Sequence, residues 1–272
     1  MTSSSEAVAT FARSICQNAT DNLFERTDNF RFGDGFETTT NSVFSALLAR
    51  QTSLSLGLAE SPFTWSGHIA PLILRSMIDL LITYRWIALE PQSRAAEYVN
   101  YGLGSEKLLT AHYQSALEEG GEDESVRRIA EANLAWIEGQ QFQMFVEVNL
   151  GSWTGKSIRQ MCVETGDEDL YKFSYTPFSA AVHNMWNHVG KWNAKTCTNP
   201  MHKQHSIGVI HEAWPIVDFV FRACKYLDLT LQEFDHFYEY EGKAISPTDC
   251  FNEHIEALSD AWNGDETHND VS

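Results

Sequence analysis

The residues most able to do chemistry fall in two short runs. Arg75 and Asp79 stand four apart inside an otherwise apolar segment. That spacing puts both on one face of a helix, where a charged pair within an apolar surround either joins to fix the packing or forms a polar site in the core. Ser179 and His183 are also four apart, with Asn187 one turn on, Asn184 and His188 on a neighbouring stripe, Tyr175 just ahead and Lys191 beyond. An imidazole near neutrality suits general acid–base work or hydrogen bonding. Ser179 has no Gly-x-Ser-x-Gly surround, so a serine-hydrolase elbow is not expected.

These residues lie within a local excess of positive charge. Leu170 to His211 contains no Asp or Glu, but holds Lys172, Lys191, Lys195, Lys203 and five histidines. The whole chain has 19 Lys+Arg against 37 Asp+Glu, net −18. From Glu212 onward there are 14 acids and three bases. Such a balance excludes a passive nucleic-acid coat. It allows RNA or a nucleotide at the basic 170–211 segment and a protein partner on the acidic surface.

Two other motifs are weaker. Gly151-Ser152-Trp153-Thr154-Gly155-Lys156-Ser157 has three residues between its glycines where a phosphate-binding P-loop needs four. Cys197-x4-His202-x2-His205 offers soft ligands, but its spacing fits no common zinc finger and a fourth ligand, His188 or His211, would have to come from elsewhere. It reads as a polar His-rich loop, and neither a metal nor a cofactor is expected.

Helical periodicity positions all of this, and no alternating strand run exceeds four residues. The pattern predicts a helix through Val8, Phe11, Ile15, Ala19 and Leu23, a Gly33–Gly35 loop, and a second helix through Val43, Leu47, Leu54 and Leu58. The strongest helix runs from about Pro62 to Leu89, with Pro71 as a kink or as the true first turn. Further helices are expected over Ser93–Leu117, ended by Gly120-Gly121, over Glu124–Val148, and as short pieces over Lys156–Glu164 and Glu168–Phe173. One more runs from Pro177, capped by Thr176, to Ala194. A loop over Thr196–Gln204, a helix over His205–Leu227 and two shorter helices ending near Trp262 complete the chain. The fold class is therefore all-α: a single multi-helix bundle domain over residues 1–262, with an acidic helical C-terminal section and a disordered tail over 263–272.

Hydrophobic residues at 43% and aromatics at 12% are ample for a core. Ile69 to Leu89 carries Arg75, Asp79 and Arg85, so no membrane span is expected. Five cysteines without a CxxC pair and an N-terminus without signal-peptide character point to reduced thiols and a cytoplasmic location.

The run Arg75-x3-Asp79, then Trp153-x-Gly155-x-Ser157-x-Arg159, then Tyr171-x3-Tyr175-x3-Ser179-x3-His183 resembles a bacterial all-helical family of unknown function. The likeness covers about residues 45–190, with Asp79 where that family usually has Glu. The family is in turn distantly similar to the HEPN ribonucleases of toxin and phage-defence systems. Those use R-x4-6-H on a late helix, a motif absent here; His183-x4-His188 takes a similar place without the Arg. The resemblance implies two readings. One is a non-enzymatic interaction or regulatory module of a bacterial defence or toxin system, in which these residues form a structural polar network. The other is an RNA- or nucleotide-cleaving effector. Arg75 would there stabilise phosphate charge, His183 would act as acid or base and Asp79 would orient a partner. Tyr175, Ser179, Asn187, His188 and Lys191 would hold substrate.

Overall fold

The computed structural model describes residues 4–29, 38–119, 123–144, 154–202, 205–210 and 215–269. The expected Gly33–Gly35 loop, the Gly120-Gly121 stop, Phe145, Val148, Gly151–Trp153, Lys203 and His211 lie outside them. Helices dominate, as the periodicity predicts: α1 (Ser4–Asn29), α2 (Thr38–Ala59), α3 (Ala70–Ala88), α4 (Pro91–Glu118), α5 (Glu124–Met144), α6 (Ile158–Thr165), α7 (Glu168–Leu170), α8 (Thr176–Val182), α9 (Trp186–Trp192), α10 (Asp218–Tyr238) and α11 (Pro247–Asn269). The last helix continues past Trp262 into the stretch read from sequence as a tail.

Contacts divide the chain into two compact units. The larger comprises residues 1–30, 46–86 and 161–272. Its core is set by stripes at helical spacing. Val220, Cys224, Leu227, Leu231 and Phe234 line α10, Leu74, Met77, Ile78, Leu81 and Ile82 line α3, and Phe11, Ile15 and Ala19 line α1, all buried. Phe11 lies edge-on to Trp65 and Phe251, and the Trp65 indole N–H donates to the Leu58 carbonyl at 2.7 Å. The buried Gln51 amide donates to the Met77 and Tyr226 carbonyls and to Thr230 Oγ1, so one side chain ties α2 to α3 and α10. Arg26 makes a two-pronged pair with Asp235, and Arg85 pairs with both Asp167 and Glu233.

The smaller unit comprises residues 31–45 and 87–160. In it α4 packs on α5, burying Ala95, Leu103, Ala130 and Ile137. The Thr40 hydroxyl donates to the Pro91 carbonyl at 3.3 Å.

Three local departures from the sequence reading have plain causes. The strongest helix begins at Ala70, so Pro71 lies in its first turn, where a missing N–H costs nothing. Pro62–Thr64 is a separate 3-10 turn, and Ser66 Oγ accepts the Ile69 N–H ahead of α3.

Thr176 does not cap a helix start. The chain runs from α7 through a π-helical turn, Tyr171–Tyr175, straight into α8. Pro177 offers no N–H to the turn before it, so that turn widens, and the Thr176 hydroxyl donates to the Tyr171 carbonyl at 2.9 Å.

The expected helix over His205–Leu227 starts only at Asp218. Ala194–Thr196 (β1) and Ser206–Gly208 (β2) instead form an antiparallel hairpin, with Lys195 opposite Ile207. Three-residue strands leave too few alternating positions to be read as strands from the sequence.

Candidate functional site

Arg75 is buried on α3, and the π-turn and α8 close over it. Its Nε donates to Ser179 Oγ at 2.8 Å, and its guanidinium carbon lies 3.3 Å from the centroid of the Tyr175 ring. That is close enough for a strong cation–π contact in a desolvated place. Tyr175 stacks in turn on Tyr171, with ring centroids 4.9 Å apart, and Ser179 Oγ donates to the Tyr175 carbonyl at 2.8 Å. The one-turn spacing of Arg75 and Asp79 brings Nη1 onto Asp79 Oδ2 as an ion pair rather than a well-aligned hydrogen bond. Asp79 Oδ1 is buried with no hydrogen-bond partner among the described residues. Burial accordingly raises the Asp79 carboxyl above its ordinary range, against the pull of Arg75. Burial raises the Tyr175 hydroxyl too, with the Asp79 charge adding to it.

Four of the sequence-predicted residues, Arg75, Asp79, Tyr175 and Ser179, thus meet. His183 does not join them. Residue 183 ends α8, Asn184 takes a left-handed conformation at φ 51°, and the Met185 N–H reaches back to the Ala180 carbonyl at 2.9 Å. This closing motif reverses the chain. The single helix expected over Pro177–Ala194 is therefore two, and the Ser179–His183–Asn187 stripe is broken. His183 is exposed and makes no side-chain hydrogen bond or ion pair among the described residues.

The reversal gives Asn187, His188 and Lys191 a different setting. With Pro71, Phe178 and Trp192 they line a cavity of about 230 Å³ where α9 faces α8 and the start of α3. His68 and Trp192 stand with their ring centroids 5.5 Å apart, and His68 and His188 at 6.4 Å. Burial, and then the neighbouring His68, lower the His188 pKa below its ordinary value. Gly67 has no room for a side chain, because a Cβ there would overlap the Trp192 indole. His68, Phe178 and Trp192 escape a sequence reading built on α8 and α9 periodicity. The one available signal is the glycine directly before His68, which allows a ring to lie on the backbone.

The hairpin brings Cys197, His202 and His205 together, with their ligating atoms within 4.8 Å of one another. Among the described residues no helix is long and apolar enough to cross a membrane.

The model of a family of unknown function, DUF5677, matches residues 41–196. No curated protein and no solved structure matches the chain.

Proposed function

The chain belongs to this family of unknown function, DUF5677, and from that premise we propose a non-enzymatic helical interaction or regulatory module whose Arg75–Asp79–Tyr175–Ser179 network is structural. One observation supports this reading above others: Arg75 is buried and engaged by three side chains, whereas His183 is exposed at the end of α8. Acid–base cleavage needs cation and imidazole to converge on one reacting group. Here the cation is committed to holding α8 and the π-turn against α3. The interaction surface is acidic. Asp249, Glu253, Glu256 and Asp260 are exposed along one face of α11, suited to a basic protein partner. A place in a bacterial defence or toxin system and a cytoplasmic location belong to the same proposal.

The cavity beside α9 favours a second reading. Lys191, the Asn187 amide and the faces of Phe178 and Trp192 combine a cation, a polar handle and stacking surfaces, the set that takes a nucleobase with its phosphate. In that reading the basic segment binds RNA or a nucleotide, and in its cleaving form His183 is the acid or base.

Melting and RNA-cleavage measurements on His183→Ala test the first reading. The expected outcome is an unchanged melting temperature and no cleavage by either protein. RNA cleavage by the wild-type chain that disappears in His183→Ala overturns it. Labelled RNA whose binding weakens in Lys191→Ala moves the conclusion to the second reading.

A further inference from the structure

The β1–β2 hairpin has no core of its own. Its strands are three residues each, none of them buried. Two-stranded hairpins of this kind are marginal unless something else holds them. The ladder nevertheless continues beyond both strands: the Val209 N–H donates to the Asn193 carbonyl at 2.9 Å, and the Cys197 N–H to the His205 carbonyl at 3.0 Å. Cys197 and His205 therefore face each other as the next cross-strand pair. A turn then folds the third group back. Asn199 Oδ1 accepts the Met201 N–H at 3.0 Å, and the Asn199 carbonyl accepts the His202 N–H at 3.0 Å. His202 Nδ1 ends 3.9 Å from Cys197 Sγ, and the His202 and His205 rings stand 5.2 Å apart.

We propose that Cys197, His202 and His205 form a zinc site that clips the end of this hairpin. One thiolate and two imidazoles are the ligands zinc prefers, and their separations need only a small contraction to reach a tetrahedral shell. No carboxylate occurs between Leu170 and His211 to turn the set toward calcium or magnesium. Three protein ligands leave the fourth position to water. Metal binding here closes a hairpin that buries nothing, so its binding energy becomes local folding energy. The site lies just past the residues that match the family, 41–196. It stands apart from the Arg75 network and does not depend on the proposed function.

The other four cysteines are poor competitors. Burial pushes the Cys16 and Cys162 thiols up to about 11 and raises those of Cys224 and Cys250 as well. Cys250, with His254 Nδ1 at 3.9 Å, is the control pair.

The test titrates the metal-free full chain with Zn²⁺ against a chromophoric chelator, and with Co²⁺ to read the thiolate-to-metal charge-transfer band. One Zn²⁺ per chain is expected, with the Co²⁺ band lost in Cys197→Ser and kept in Cys250→Ser. His202→Gln and His205→Gln should each weaken Zn²⁺ by at least the roughly 10–100-fold seen on losing a supporting residue. His202 is exposed, so its variant keeps the test valid if Cys197→Ser does not fold. No zinc binding by the wild-type chain, unchanged affinity in His202→Gln, or a band that follows Cys250 overturns the site.

Discussion

The Arg75 network and the His-rich stretch after α8 are both polar and are held in opposite ways. Arg75 is itself buried, with Ser179, Tyr175 and Asp79 around it. His183, His202 and His205 are exposed. The difference lies in what a lost partner costs. Removing a member of the first group leaves a polar atom stranded in the core, whereas removing a member of the second returns a side chain to water. Polar residues at helical spacing are therefore no guide to a site until their burial is known. Here the buried set packs α8 and the π-turn against α3, and the exposed set lies at the surface.

Arg75→Ala should break this contrast most severely. It strands the Asp79 carboxylate, whose side chain is 40% exposed, so the loss belongs near the lower end for broken buried pairs, about 2–3 kcal/mol by urea denaturation. His183→Ala should cost nothing measurable. Equal effects from the two would erase the distinction between the regions. Next in size is Gly67→Ala. The added methyl forces the Trp192 ring away, an overpacking cost of about 1–3 kcal/mol, and moves the Trp192 indole resonance. An unmoved resonance would mean that Trp192 does not lie on the Gly67 backbone.

Asp79→Asn should have a smaller effect of the opposite sign. The folded-state pKa of Asp79 is raised, so the native chain holds this proton more tightly than the unfolded one. Stability contributed by this group then falls as pH rises from 3.8 through the folded-state value and stays low above it. The amide should remove that slope and leave the protein no less stable at neutral pH. A stability loss as large as that of Arg75→Ala would show that the ion pair outweighs the burial of the carboxylate.

The helices were legible because an apolar stripe repeats wherever one face is buried, and α1, α3 and α10 carry long stripes. The Arg75–Asp79 pair was legible for the same reason, as a charge pair interrupting such a stripe. Tyr175 and Ser179 were found by spacing, yet the step from Tyr171 to Tyr175 is a π-turn that ends just ahead of Pro177. Two features left no trace. Asn184 adopts a positive φ that only the closing contacts of α8 make worthwhile, and with it the polar stripe through His183 and Asn187 dissolves. The hairpin hides because neither strand is long enough to alternate. The meeting of Cys197 with His205 is a matter of cross-strand register, which spacing along the chain does not encode.

The finest division within the His-rich stretch runs through His188, which is half-buried where His183, His202 and His205 are exposed. It is half-buried beside Trp192 and also lines an open cavity. Burial and the His68 charge lower its pKa, so the folded chain takes up this proton less readily than the unfolded one. Stability should therefore fall as pH drops through 6.5 and level off below the folded-state value. His68→Gln removes the second cause and leaves the first. The His188 resonance should then titrate part of the way back toward 6.5 by NMR, but not all of it. Full return would mean that burial has no part in lowering the His188 pKa. No change would mean that His188 does not sense His68 and that burial alone lowers its pKa.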